Sequence, residues 1–154
     1  MSDKPHILIV ASPYYAHITE ALVRGATAHV EAAGGTVEQI DVPGVFEIAA
    51  AISMAMRTAP RADGTPRFDG YIALGCVIRG ETSHYDYVCG ESARALQDLA
   101  VLHHAPIGYG IVTVENEEQA KERAFVERRN KGADAAAACL AMIELKRDLN
   151  PQPL

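Results

Sequence analysis

The stretch Gly75-Cys76-Val77-Ile78-Arg79-Gly80-Glu81-Thr82-Ser83-His84 gathers the residues of this chain best suited to chemistry. It leaves an apolar run that reads as a buried strand, breaks at Gly80, and enters a helical pattern near Ser83. A strand, a glycine turn and a helix start present unpaired backbone N–H groups at one point, and the helix dipole adds partial positive charge. That combination suits a phosphate or another anion. His84 falls in the first helical turn. Imidazole ordinarily titrates near neutrality, so a histidine beside a bound anion is a candidate for proton transfer. Taken singly, the candidates have plain structural readings too. His84 fits a surface residue at a helix start, Glu47 an ordinary first-turn acid, Arg123 and Lys131 solvated charges, and Tyr14 and Phe46 packing aromatics. No histidine has metal-ligand spacing, so no metal site is expected.

The elements that must position these residues follow from periodicity. A first strand is expected from His6 to Ala11, then a loop over 12–17 in which Pro13 ends the strand. Apolar residues at Ile18, Leu22, Ala26 and Val30 make 18–33 an amphipathic helix, stopped by Gly34-Gly35. A second strand covers 36–42, Pro43-Gly44 breaks it, and Val45-Phe46-Glu47 leads into a helix over about 48–56. Residues 57–69 read as an exposed loop without recognisable chemistry. The third strand, 70–78, is apolar enough to be buried on both faces. The helix over 83–104 opens with Ser83 and Asp86, a capping-box pattern, and puts Val88, Ser92 and Leu96 on one side. A fourth strand spans 107–114, and Asn116 with Gln119 caps a short helix to about Phe125. After a loop at 128–132, a last Ala-rich helix runs over 133–147.

Strands alternating with helices in this way predict an α/β three-layer sandwich: a doubly wound, four-stranded parallel sheet with helices on both faces. Ligands of such sheets bind beyond the carboxyl ends of the strands. Here those ends are the loops 12–17, 43–47, 79–84 and 115–116. The chain of 154 residues is read as one domain over 1–154, with an ordered core of about 6–148. Hydrophobic residues make up 49% and charged residues 22%, and the net charge of −6 comes without a basic stripe, so no nucleic-acid partner is expected. Cys76, Cys89 and Cys139 lack Cys-x-x-Cys spacing and read as small buried fillers in a reducing compartment. The polar start Met1-Ser2-Asp3-Lys4-Pro5 and the lack of a long apolar run predict a cytoplasmic protein with no membrane partner.

Four blocks, in order, sharpen this picture: Val42-Pro-Gly-Val-Phe-Glu-Ile48, Gly75 through Val88, Gly110 through Ala120, and Asn130-Lys131-Gly132. With them the chain resembles the lumazine synthase family from His6 to about Leu145. The resemblance implies a flavodoxin-like fold and a transferase of riboflavin biosynthesis. It would join 5-amino-6-(D-ribitylamino)uracil to 3,4-dihydroxy-2-butanone 4-phosphate without a cofactor. By resemblance, Tyr14 stacks on the pyrimidine, Val45, Phe46 and Glu47 bind the ribityl chain, and the backbone of Val77 and Ile78 meets the uracil edge. Gly80, Glu81, Thr82 and Arg123 bind phosphate, His84 moves protons with Asp134 orienting it, Tyr109 forms a second aromatic wall, and Lys131 reaches the ribityl and uracil groups.

Some positions depart from the family pattern. Pro13-Tyr14-Tyr15 stands where Arg-Phe-Asn is common, which keeps the ring but not the Arg or Asn. Glu81 replaces a small residue, and only its backbone N–H is credited, because a carboxylate repels phosphate. The loop 57–69 is longer than in many members, and Glu127-Arg128-Arg129 replaces a small, glycine-containing stretch. The resemblance also implies homo-oligomers, pentamers that in some members form decamers or icosahedral shells, with Tyr109, Arg123 and Lys131 donated by a neighbouring subunit. Riboflavin synthase is a candidate partner. The alternatives are a weakly catalytic homologue that binds lumazine or riboflavin, and an unrelated regulatory domain. The second of these expects paired acids after the first strand, which are missing.

Overall fold

The computed structural model describes residues 4–154. Met1, Ser2 and Asp3, the polar start noted above, lie outside the described residues. Four strands form one parallel sheet: β1 (His6–Ala11), β2 (Thr36–Asp41), β3 (Gly70–Ile78) and β4 (Ile107–Val114), in the order β2-β1-β3-β4. Among the described residues there are five α-helices, α1 (Ala16–Ala32), α2 (Ile48–Ala55), α3 (His84–His103), α4 (Glu117–Ala124) and α5 (Lys131–Leu149). This is the doubly wound α/β sandwich that the sequence predicts, with a flavodoxin-like strand order. The chain turns outward from β1 to β2 and then back across to β3 and β4, so right-handed crossovers require helices on opposite faces.

Two apolar layers result. Ile7, Ile9 and Ala11 of β1 face α1, α4 and α5, together with Leu22, Ala120, Ala136 and Cys139. Leu8 and Val10 point the other way, toward Ile48, Ile52, Val88 and Leu96 of α2 and α3. The alternation is the period-two geometry of a strand. β3, at the centre, is buried along seven of its nine residues.

The predicted apolar stripe of α1 is fully buried at Ile18, Leu22, Ala26 and Val30. Gly34 ends the helix with φ +85°, and the N–H groups of Gly34 and Gly35 bond back to Glu31 and Val30 carbonyls at 2.9 and 3.0 Å. α5 begins two residues earlier than expected, at Lys131, and packs closely on α1. Asn130, at φ 49°, sets its side chain in the notch left by Gly25. A Cβ on Gly132 would lie 2.0 Å from the Leu22 carbonyl oxygen. Asn130 and Gly132 therefore make the helix contact, which leaves Lys131 between them to point outward.

Two details differ from expectation. The Ser83–Asp86 capping box does not form, and the Ser83 side chain makes no capping bond. Ser83 has near-helical φ −70° and ψ −1°, whereas an N-cap hydroxyl needs extended backbone to reach back to the helix N–H groups. The Asp86 carboxylate instead faces Arg79 at 3.5 Å. The loop 57–69 is also more than a solvated connection. Phe68 is buried and stacks on His6 with centroids 5.5 Å apart, and Arg61 and Arg67 bond to Asp69 and Glu38.

Candidate active site

Ser12 and Pro13 end β1, and the chain turns through a short 3-10 segment, Pro13–Tyr15, before α1. A second 3-10 turn, Val45–Glu47, follows Gly44 and leads into α2. These two turns, the end of β3 and the start of α3 enclose a cleft of about 580 Å³. It opens where β1 and β3 diverge, the switch point at which such sheets take ligands.

Tyr14, Val45, Phe46, Glu47, Val77, Ile78 and His84 all line this cleft, as expected from sequence. Tyr14 is 75% exposed and Phe46 58%, so two rings stand open to a planar ligand instead of packing in the core. Tyr15 braces Tyr14 edge-on at 5.1 Å, and burial pushes the Tyr15 phenol up from its ordinary pKa. Val45 comes down into the cleft because Gly75 has no side chain: a Cβ there would meet Val45 Cγ2 at 2.8 Å. Glu47 folds its carboxylate back over Gly44, within 3.0 Å of where a Cβ would stand.

The turn Gly80-Glu81-Thr82-Ser83 is exposed at the mouth, and the His84 N–H donates to Thr82 Oγ1 at 3.3 Å. Arg79 flanks the turn, but its guanidinium is occupied by Glu115 at 3.0 Å and Asp86 at 3.5 Å and lies 4.3 Å over the Tyr85 ring. Its pKa is raised, chiefly by the hydrogen bond to Glu115. Arg79 is thus a brace between strand ends and not a free anion ligand. Arg128 is similarly engaged, with Glu118 at 3.1 Å, Glu122 at 3.6 Å and the Phe125 ring at 5.3 Å.

The remaining expected site residues do not line this cleft within one chain. Tyr109, 44% exposed on β4, borders a separate hollow with Leu96, Gln97 and Ala100. Arg123 lies on α4, where its guanidinium donates to the Gln119 carbonyl at 3.2 Å. Lys131 Nζ pairs with Asp134 Oδ2 at 3.2 Å in the first turn of α5. The α4 and α5 helices belong to the layer on the other face of the sheet from α2 and α3. Ser12, Tyr15, Pro43 and Gly44, within the loops expected to open on the cleft, also line it, as do Cys76 and Val88, none of them with an assigned role. Strand alternation could have found Ser12, since it continues the side of Leu8 and Val10.

Among the described residues no cluster of three or more His, Cys, Asp or Glu could hold a metal ion. No helix of the described residues is long and apolar enough to cross a membrane. The cleft presents exposed aromatic faces, strand-end backbone, one carboxylate, one imidazole and a helix start.

Comparison with known proteins agrees with that chemistry. The family model described as 6,7-dimethyl-8-ribityllumazine synthase matches residues 4–147. The enzyme of that name from Agrobacterium fabrum is 53% identical over 147 residues, covering 96% of this chain and 98% of that one. Its namesake from Methylorubrum extorquens is 50% identical, covering 96% and 84%. That of Bartonella tribocorum is 49% identical, covering 96% and 93%. A match over nearly the whole length, on a sheet whose switch point carries the expected cleft, places the chain in the 6,7-dimethyl-8-ribityllumazine synthase family.

Proposed function

We propose that the chain is a transferase of riboflavin biosynthesis. It condenses 5-amino-6-(D-ribitylamino)uracil with 3,4-dihydroxy-2-butanone 4-phosphate to give 6,7-dimethyl-8-ribityllumazine, releasing phosphate and water. The observation that carries this reading is the joining of Tyr14, Val45–Glu47, Val77, Ile78 and His84 in one cleft at the switch point.

The roles are those that the family resemblance implies, and the chemistry of each residue suits them. Tyr14 supplies a flat face for the pyrimidine at low entropic cost. Val45, Phe46 and Glu47 hold the ribityl chain, with the Glu47 carboxylate accepting hydrogen bonds from its hydroxyls. Val77 and Ile78 offer backbone groups at the end of β3 to the uracil edge. Amine attack on the ketone moves protons between nitrogen and oxygen, which His84 serves as acid and base. Departing phosphate gains charge, which the N–H groups of Gly80, Glu81 and Thr82 and the Arg123 fork stabilise. Positioning two reactants supplies much of the remaining acceleration.

The reading includes an assembly. Arg123, Lys131 and Tyr109 reach the cleft of an adjacent subunit in a pentamer, and Asp134, in the same helical turn as Lys131, arrives with it to orient that subunit's His84. Exposed aromatics at the cleft mouth, and cationic residues on the opposite layer of the same chain, support this division. The whole chain acts as one domain in the cytoplasm, and riboflavin synthase is the partner that takes up the product.

The test is a turnover assay with both substrates at neutral pH, followed by lumazine absorbance and fluorescence. The wild-type rate should exceed the uncatalysed condensation, fall by about 100-fold or more in Arg123→Ala, and fall by about tenfold in His84→Ala. A background rate with flavin binding retained would replace the enzyme by a binding protein.

A further inference from the structure

The floor of the cleft holds a polar group that the roles above leave unused. Ser12 extends β1, and strand alternation turns its side chain toward α2, α3 and the cleft. The residue is 1% exposed. Its backbone is fully engaged: the N–H donates to the Leu74 carbonyl at 2.9 Å and the carbonyl accepts from Thr19 Oγ1 at 2.7 Å. Its hydroxyl has no hydrogen-bond partner among the described residues. The surroundings are apolar, with Ser12 Cβ 3.5 Å from the place a Gly75 Cβ would take, beside Val45 and Ile48. Ser92 is the other buried serine without a partner, but it lies within α3 and does not line the cleft.

A buried hydroxyl without a partner is costly, and an alanine would fill the same space without that cost. We infer that Ser12 determines specificity for the heterocyclic substrate, its Oγ hydrogen-bonding a polar edge of the pyrimidine at the floor of the cleft. This rests on the reading of function above. A hydroxyl donates and accepts, and a uracil ring alternates N–H and C=O along its edge, so one serine can meet either group. A ring without polar atoms there would bury Ser12 unpaired, which is how a hydrogen-bonding site rejects analogues.

The experiment is steady-state kinetics of wild type and Ser12→Ala, varying each substrate at saturating levels of the other. The KM for the ribitylaminouracil should rise about five- to tenfold, while kcat and the KM for the phosphorylated ketone stay within about twofold. Ser12→Cys, close in size and a weaker donor, should fall between the two, and it carries the comparison alone if Ser12→Ala does not fold. An unchanged pyrimidine KM overturns the inference. So does a lowered melting temperature with unchanged KM, since the hydroxyl would then hold buried solvent. If wild type shows no turnover, the reading of function fails. Fluorescence titration of 6,7-dimethyl-8-ribityllumazine against wild type and Ser12→Ala then decides Ser12 separately, with equal affinities counting against it.

Discussion

At the scale of single residues, burial decides which ionisable groups are free to act. Cys76 and Cys139 are 4% and 0% exposed, and desolvation pushes each thiol up to about 12 from an ordinary 9.0. They are inert fillers, as their spacing in the sequence suggests. The native state keeps both protons between pH 9 and about 12, whereas the unfolded chain loses them from about 9 upward. Stability contributed by the protonated thiols is therefore fully present below about pH 9 and is lost as pH rises toward 12. The unfolding free energy from denaturant titrations should fall over that window by up to about 1.4 kcal/mol per pH unit for each thiol. Cys139→Ala should flatten the slope. Within the cleft, Glu47→Ala removes a charge-assisted acceptor, so kcat/KM should drop by about 10- to 100-fold with the melting temperature little changed.

At the scale of elements, close backbone contact carries much of the specificity of packing. Gly132→Ala would drive a methyl into the Leu22 carbonyl and force α5 off α1, with an expected loss of about 3 kcal/mol in equilibrium unfolding. α4 is short and charged, and its capping is reciprocal: Asn116 Oδ1 accepts the Gln119 N–H at 2.9 Å, and Gln119 Oε1 accepts the Glu115 N–H at 2.9 Å. Asn116→Ala should cost about 1 kcal/mol and raise amide exchange across Glu117–Ala124, the helix that carries Arg123. The Asn116–Gln119 pattern was legible because the side chain that caps sits at a fixed offset. The Ser83–Asp86 pattern has the same offset and failed, because Arg79 captures the acid and the Ser83 backbone is already helical.

At the scale of the whole molecule, the sheet places α4 and α5, which carry Arg123, Lys131 and Asp134, on the opposite face from α2 and α3, and none of the three lines the cleft of its own chain. If neighbouring subunits complete the site, two defective chains should complement each other. Co-expression of Arg123→Ala with a His84→Ala/Glu47→Ala chain should restore about a quarter of the sites in a randomly mixed ring. If each chain served its own cleft, mixing would restore none. Light scattering of the purified protein should give a mass of about five chains or a multiple of it.

The order of strands and helices, the parallel sheet, the cleft loops and the identity of Tyr14, Glu47 and His84 as its occupants were all determined by the sequence. Periodicity and turn residues are local, and right-handed crossovers leave few ways to arrange them. What only the tertiary structure decided is which side chains are already engaged. Arg79 and Arg128 are held by carboxylates, Phe68, read as part of an exposed loop, is buried, and Ser12, read as the start of the loop after the first strand, is an unpaired hydroxyl in the cleft floor. Those outcomes depend on distances between segments brought together only by folding, which no local pattern encodes.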